Sequence, residues 1–235
     1  MRKILILAIL AVPVIILLTL PVRAILPLFD PPDQLGQVRG TIWSGQARWS
    51  QLGHAPMDVE WRWTGGRDWR FQAGDGHTLL EGRLQPGDGL RVRDLTGRIE
   101  LDRVDLAHWF YNTRPAGHLE VDLSEAILDP GKVPSLRGQV IWADARLEGG
   151  VHEHLGRVAI DLEPRDGYQH ARVRSLEPAA VQIQGEIRSD QSQYETDLWL
   201  RASAERPELT RQLAPLGELQ PDGQVRIQLR GSLGW

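Results

Sequence analysis

The stretch Leu119-Glu120-Val121-Asp122-Leu123 decides the fold class, because apolar and acidic residues alternate in it without interruption. A period of two places the three apolar side chains on one side of an extended chain and the two carboxylates on the other. The same alternation recurs along the chain from Val38 to Leu229. These segments predict about a dozen half-buried β-strands.

The connections between these segments predict antiparallel pairing. Glycine and aspartate form short turns such as Gly74-Asp75-Gly76 and Asp166-Gly167, which suit hairpins. Only two segments are typical of short helices, Val104 to Tyr111 and Pro207 to Leu216. Because two short helices cannot cover a dozen strands, we predict an all-β domain. Its antiparallel sheet should curl onto itself as a half-pipe, sandwich or partial barrel.

The N-terminus predicts a membrane anchor. Arg2 and Lys3 precede the uncharged run from Ile4 to Val22, which as a helix would measure roughly 28 Å and span the hydrocarbon core of a bilayer. The two cations favour a cytoplasmic N-terminus, so the remainder should be exported. A cleaved signal peptide is the alternative, since Val22-Arg23-Ala24 offers a cleavage site, but the apolar run exceeds a usual signal sequence. We therefore expect a transmembrane helix within residues 1–25 and an exported β-rich domain over residues 26–235.

Composition excludes several classes of partner and chemistry. The net charge is −4 with acidic and basic residues interleaved, so no basic face is set aside for nucleic acid. Cysteine is absent, which excludes disulfides, thiolate catalysis and cysteine-bound metal.

The sequence carries no pattern typical of a catalytic or metal-binding site. The chain contains no nucleophile elbow, dinucleotide fingerprint, P-loop or zinc-protease motif. His152 and His154 lack a third ligand at zinc-type spacing, and we interpret them as an exposed polar turn. Strand alternation places Asp161 and Glu163 on a solvated polar face. We therefore predict no catalytic residue, no metal site and no cofactor, as expected of a protein that is not an enzyme.

Nine tryptophans, against three tyrosines and three phenylalanines, suggest both core packing and an interface. Trp61, Trp63 and Trp69 fall in adjoining strand segments and are expected in the core. Trp199 lies between two leucines in an alternating strand and should face outward, whereas Trp235 ends the chain. Trp199 and Trp235 are the candidate interface residues.

A short motif carries a family resemblance. The order of a charged start, one membrane helix and then Gly40-Thr41-Ile42-Trp43-Ser44-Gly45 resembles the type II secretion system protein N family. From the residues alone, we interpret Gly40, Thr41, Trp43 and Gly45 as structural. They suit a strand entering a Ser-Gly turn, in which the tryptophan packs and Gly45 relaxes the backbone.

The resemblance implies an inner-membrane, periplasm-facing component of the general secretion machinery, grouped by fold with AsmA-like β-groove proteins. It brings no catalytic residues. Two functions stay open: docking to other type II secretion subunits, or an apolar groove that binds phospholipid acyl chains. An enzyme on a β scaffold is the third and weakest alternative.

Overall fold

A computed structural model describes residues 21–22, 35–50, 56–87, 89–103, 113–129, 132–149, 152–190 and 192–232. Fourteen strands in these ranges form one curled, open antiparallel sheet, which confirms the predicted all-β class. The predicted membrane helix, apart from residues 21–22, and the predicted helix from Val104 to Tyr111 lie outside the described residues. No helix within the described ranges is long and apolar enough to cross a membrane.

The strands follow one another as hairpins, so their order in the sheet is their order in the chain except at the last two. The final strand inserts between β12 and β13, which leaves β1 and β13 at the two margins. Their bounds are β1 Leu35–Gly40, β2 Ser44–Trp49, β3 Met57–Gly65, β4 Asp68–Gly74, β5 Leu79–Pro86, β6 Leu90–Glu100, β7 Thr113–Leu128, β8 Ser135–Gly149, β9 Glu153–Arg165, β10 Tyr168–Ser175, β11 Val181–Ser189, β12 Gln193–Ala202, β13 Glu218–Leu219 and β14 Val225–Ser232.

In the part of the chain that the structure describes, the helices after β1 are short. The predicted helix from Pro207 to Leu216 is realised as α1, Leu209–Leu213, followed by a 3₁₀ turn at Ala214–Leu216. Proline at position 215 has no N–H to continue the helix, which accounts for the early end of α1. A second 3₁₀ turn, Leu101–Arg103, follows β6.

One face of the sheet is apolar across its whole width, and we call it the apolar face. Cross-strand partners on this face form a continuous row through twelve strands, which confirms the register that alternation predicts. The row consists of Ala47, Val59, Ala73, Leu80, Gly97, Val121, Val140, Ile160, Val173, Gly185, Leu198 and Ile227. The opposite face carries most of the arginines and carboxylates, and we call it the polar face.

The deepest burial occurs where α1 packs on the apolar face. Leu209 and Leu213 of α1 are fully buried against Val181, Leu200 and Val225, which are also inaccessible to solvent or nearly so. Farther along the row the side chains are mostly half-buried. The helix α1 therefore covers only one part of the apolar face.

Glycine in the row marks a position where adjacent strands approach closely. Gly185 has φ +149°, and a Cβ built on it would lie 2.8 Å from the Cα of Leu198 on β12. No other residue fits that space without moving the neighbouring backbone.

Candidate docking surface

The family-like motif forms the connection between β1 and β2. The β1 strand ends at Gly40 and β2 begins at Ser44, so the turn consists of Thr41, Ile42 and Trp43. The Thr41 hydroxyl accepts hydrogen bonds from the backbone N–H groups of Trp43 and Ser44, both at 3.2 Å. The predicted Ser-Gly turn is therefore wrong, because the turn is closed by Thr41 and precedes Ser44.

The two glycines of the motif are required for different structural reasons. Gly40 has φ +95°, the left-handed conformation that the chain needs to enter the turn. Gly45 lies in β2, where a Cβ would fall 2.9 Å from an atom of the Trp61 ring and 2.5 Å from the Arg39 carbonyl oxygen. Gly45 therefore makes room for a tryptophan and does not relax the backbone as the sequence suggested.

Indole groups from β3 and β4 hold this turn in place. The Nε1–H of Trp61 donates to the Thr41 carbonyl at 3.1 Å, and the Nε1–H of Trp69 donates to the Ile42 carbonyl at 2.9 Å. Trp43 packs edge-to-face on Trp63 with ring centroids 5.0 Å apart. The residue types of the motif are thus explained by local packing and hydrogen bonding.

One of the predicted core tryptophans is not in the core. Trp61 and Trp69 are partly buried, but Trp63 is 41% exposed. Trp63 lies near the end of β3, beside the Gly65 turn, so the neighbouring strand segments that would cover it end there. Periodicity assigns a face to a side chain but does not show where along the strand that face is covered.

Trp199 lies on the polar face, as the alternation of β12 predicts. Its cross-strand partners are Gln184 on β11 and Arg226 on β14. The Arg226 guanidinium lies 4.9 Å from the centroid of the Trp199 ring, within cation–π range. Trp199 is therefore an aromatic side chain with an ordered cationic neighbour on the polar face of the sheet.

A carboxylate orients this cation. Arg226 donates two hydrogen bonds to Asp197, from Nε at 2.8 Å and from Nη2 at 2.7 Å. The hydrogen bond from Arg226 lowers the pKa of the Asp197 carboxyl below its usual value, and the same contact raises the pKa of Arg226. Both groups are charged at neutral pH, so the geometry around Trp199 is held by a bidentate ion pair.

A polar depression of about 290 Å³ adjoins Trp199. Its lining includes Gln184, Arg201 and Gln224, and Gln224 is almost fully buried. The backbone N–H of Gln224 donates to Asp222 at 3.1 Å, and the hydrogen bond lowers the pKa of the Asp222 carboxyl. The surface around Trp199 thus combines one aromatic ring with donors and acceptors of fixed direction, the composition that favours protein recognition.

Asp161 is more constrained than a solvated carboxylate. It lies on the polar face as predicted, but it accepts hydrogen bonds from Gln139 at 2.6 Å and from Arg174 at 3.2 Å. The bond from Gln139 is the main reason that the pKa of Asp161 is lowered. Residues on β8, β9 and β10 are linked in this way across the polar face.

The His152 to His154 segment is not simply an exposed polar turn. His152 and His154 are exposed, but Glu153 between them is only 8% exposed. Both Glu153 carboxylate oxygens accept hydrogen bonds from Arg206, each at 2.9 Å. Sequence reasoning missed this pair because Arg206 lies in the loop before α1 and no local pattern links the two residues. Among the described residues, no three histidine or carboxylate side chains gather into a metal site.

Trp235, the second candidate interface residue, lies outside the described residues. The structure therefore brings together Trp199, Asp197 and Arg226 as one surface, and it places the motif around Gly40 near the opposite margin of the sheet.

Comparison with known proteins gives one finding. The family model for type II secretion system (T2SS) protein N matches residues 32–228, which includes every strand of the sheet except the last residues of β14. No curated protein and no solved structure gives a significant match. The family match confirms the resemblance that the motif and the order of segments suggested.

Proposed function

This chain belongs to the type II secretion system protein N family, and we propose that it is a non-catalytic docking component anchored in the inner membrane. The family is a structural part of the secretion system and is not known as an enzyme family. In this proposal residues 1–25 hold the protein in the membrane and the β-sheet domain faces the periplasm. Its docking surface is the polar face around Trp199.

The observation that carries the proposal is the fixed environment of Trp199. Tryptophan and arginine are the residues that most often dominate binding energy at protein interfaces. Here the Trp199 ring lies next to the Arg226 guanidinium, and Asp197 holds that guanidinium with two hydrogen bonds. Because these side chains are already ordered, less conformational entropy is lost when a partner binds them.

Co-purification tests the docking proposal. Full-length protein carrying Trp199→Ala should recover fewer type II secretion subunits from detergent-solubilised membranes than the wild type. Trp63→Ala is the control, since Trp63 is an exposed tryptophan that lies near the other margin of the sheet. Equal loss from both variants, or no loss from Trp199→Ala, would remove this surface from the proposal.

The anchor and its orientation are tested separately. Arg2 and Lys3 favour a cytoplasmic N-terminus. Protease added to spheroplasts should therefore degrade the chain after about residue 26, whereas intact cells should protect it. Recovery of an N-terminally shortened protein in the soluble periplasmic fraction would instead indicate a cleaved signal peptide.

A second candidate function rests on the apolar face. The cross-strand row is only half-buried away from α1, as at Val59, Leu80 and Val140. A surface of this kind could shield lipid acyl chains. Val140→Trp tests this function better than a change at Val181, because Val181 lies fully buried in the cluster with α1, where a larger side chain would destabilise the domain. Under the lipid function, Val140→Trp should reduce co-purified phospholipid, whereas under docking the variant and the wild type should carry the same amount.

A further inference from the structure

The two margins of the sheet differ in how well they could pair with another strand. At the β1 margin the pairing register with β2 shifts between Gly36 and Arg39, and Gln37 takes φ +50°. Pro21 also forms a bridge to Thr41 at the end of this strand. A bulge and a proline are features that protect an edge strand from further pairing.

The β14 margin has none of this irregularity in its described part. Strand β14 pairs with β12 without a register shift from Gln193 opposite Ser232 to Leu200 opposite Val225. On the outer side of β14, the strand β13 pairs only with Val225 and Arg226. In the described part of the chain, residues 227–232 of β14 therefore have no strand on their outer side.

The direction of the backbone groups along β14 follows from the hairpin that precedes it. The N–H of Gln220 donates to the carbonyl of Gln224 at 2.8 Å, so Gln224 faces β13. Alternate residues of a strand turn their N–H and C=O groups to the same side, so those of Gln228 and Arg230 also point outward. Gln228 and Arg230, two alternate residues, thus present the donor and acceptor pattern that an added antiparallel strand uses.

The side chains of β14 define what kind of strand would fit. Leu229 is 52% exposed on the apolar face beside this open edge. The polar face of the strand carries Arg226, Gln228 and Arg230, and β14 contains no acidic residue. Arg230 makes a 3.2 Å contact with Glu195, and its side chain is mostly exposed, so it can engage another carboxylate.

Strand β13, which is two residues long, already pairs with the outer side of β14 and shows which side chains fit there. It places Glu218 opposite Arg226 and Leu219 opposite Val225. An acid thus lies opposite an arginine on the polar face, and a leucine lies opposite a valine on the apolar face. The pairing ends where the chain enters β13 from the 3₁₀ turn at Ala214–Leu216, so within the described residues no strand pairs with Gln228 to Arg230 on the outer side of β14.

We propose that the edge of β14 from Gln228 to Arg230 accepts an extended segment of another secretion subunit by strand addition. The segment alternates acidic and apolar residues, with an acid opposite Arg230 and an apolar residue opposite Leu229. This inference rests on the docking function proposed above and names the chemistry of its partner. A second copy of this chain fits less well, because it would bring one arginine-bearing edge strand against another.

Peptide binding to the full-length protein in detergent tests the edge directly. The probes are two labelled eight-residue peptides, one alternating glutamate with valine and one alternating lysine with valine, followed by fluorescence anisotropy. The glutamate peptide should bind the wild type more tightly than the lysine peptide. Equal affinity for both, or no binding of the glutamate peptide, overturns the proposal.

Two variants separate backbone pairing from charge. Gln228→Pro removes an outward N–H that β12 does not use, so the fold should persist by circular dichroism while affinity falls about fivefold to tenfold, the equivalent of one lost hydrogen bond. Arg230→Glu should reverse the preference in favour of the lysine peptide, which shows binding at this edge even if the proline variant fails to fold. Arg211→Glu, an exposed charge change on α1, should leave both affinities unchanged.

The same variants distinguish failure of this inference from failure of the docking function. If secretion subunits co-purify equally with the wild type and with folded Gln228→Pro, docking stands and the edge proposal is overturned. If no subunit co-purifies with the wild type, the docking function fails. If the wild type self-associates and the Gln228→Pro variant does not, the partner at this edge is a second copy of the chain. The acidic-segment proposal is then overturned.

Discussion

The guanidinium of Arg226 lies 4.9 Å from the centroid of the Trp199 ring and is held there by two hydrogen bonds to Asp197. Asp197 and Trp199 are two residues apart on β12, so both side chains project from the polar face, where Arg226 of the neighbouring β14 contacts them. This relationship connects the proposed docking surface to the strand at the open edge. A partner that pairs with β14 would come into contact with the Trp199 surface as well.

The Asp197 carboxyl should make the free energy of unfolding depend on pH. Its pKa is lowered in the folded protein because Arg226 hydrogen-bonds to the charged form. Such a group contributes stability that is complete above its unfolded pKa, about 3.9, and is lost as the pH falls through the lower folded pKa. Urea denaturation should therefore show the wild type more stable than Asp197→Asn at pH 7, with the difference vanishing below that folded pKa. In an Arg226→Leu background the Asn substitution should produce no such pH-dependent difference.

The indole of Trp69 should contribute through its hydrogen bond to the motif turn. Trp69→Phe removes the donor to the Ile42 carbonyl and should cost about 0.5 to 1.5 kcal/mol for that bond, besides some packing. Trp199→Phe is the control, because no described residue accepts a hydrogen bond from the Trp199 indole. Chemical denaturation measures both variants. Equal destabilisation by the two substitutions would show that the hydrogen bond to the turn contributes little.

Glycine at position 185 should be required by the close approach of β11 and β12. Gly185→Ala places a Cβ 2.8 Å from the Leu198 Cα at φ +149°, and should cost about 2 kcal/mol or more. Gly36→Ala is the matched control, since among the described residues its Cβ would meet only the Arg48 carbonyl oxygen, at 3.9 Å. That variant should leave stability unchanged or raise it by up to about 1 kcal/mol. Similar urea midpoints for the two variants would refute the steric argument.

The Glu153 and Arg206 pair should respond asymmetrically to removal of either partner. The Glu153 side chain is 7% exposed and the Arg206 side chain is 46% exposed. Arg206→Ala leaves a carboxylate buried without its cation, whereas Glu153→Gln leaves an arginine that water can solvate. Thermal unfolding should therefore show the larger drop in Tm for Arg206→Ala. The reverse order would mean that the carboxylate finds another partner or is solvated.

The sequence predicted correctly those features that depend only on residues close together in the chain. Alternation at Leu119-Glu120-Val121-Asp122-Leu123 correctly assigned these residues to opposite faces of β7, because side-chain direction in a strand depends only on parity. It also placed Trp199 outward for the same reason. The prediction placed the turn of the motif at Ser44 and Gly45, which is wrong. The position of the turn depends on the Thr41 hydroxyl that closes it, and Gly45 is required in β2 by the Trp61 ring of β3.

The sequence by itself determined that this chain is an antiparallel all-β protein with one apolar and one polar face, and its motif and segment order indicated the family. Those properties depend on the period of the side chains, on turn residues and on short runs of sequence. Only the tertiary structure decided which positions on the apolar face are covered, that Glu153 pairs with Arg206, and that β14 and not β1 presents a regular open edge. Each of these depends on contacts between residues far apart in the chain, which side-chain period alone cannot specify.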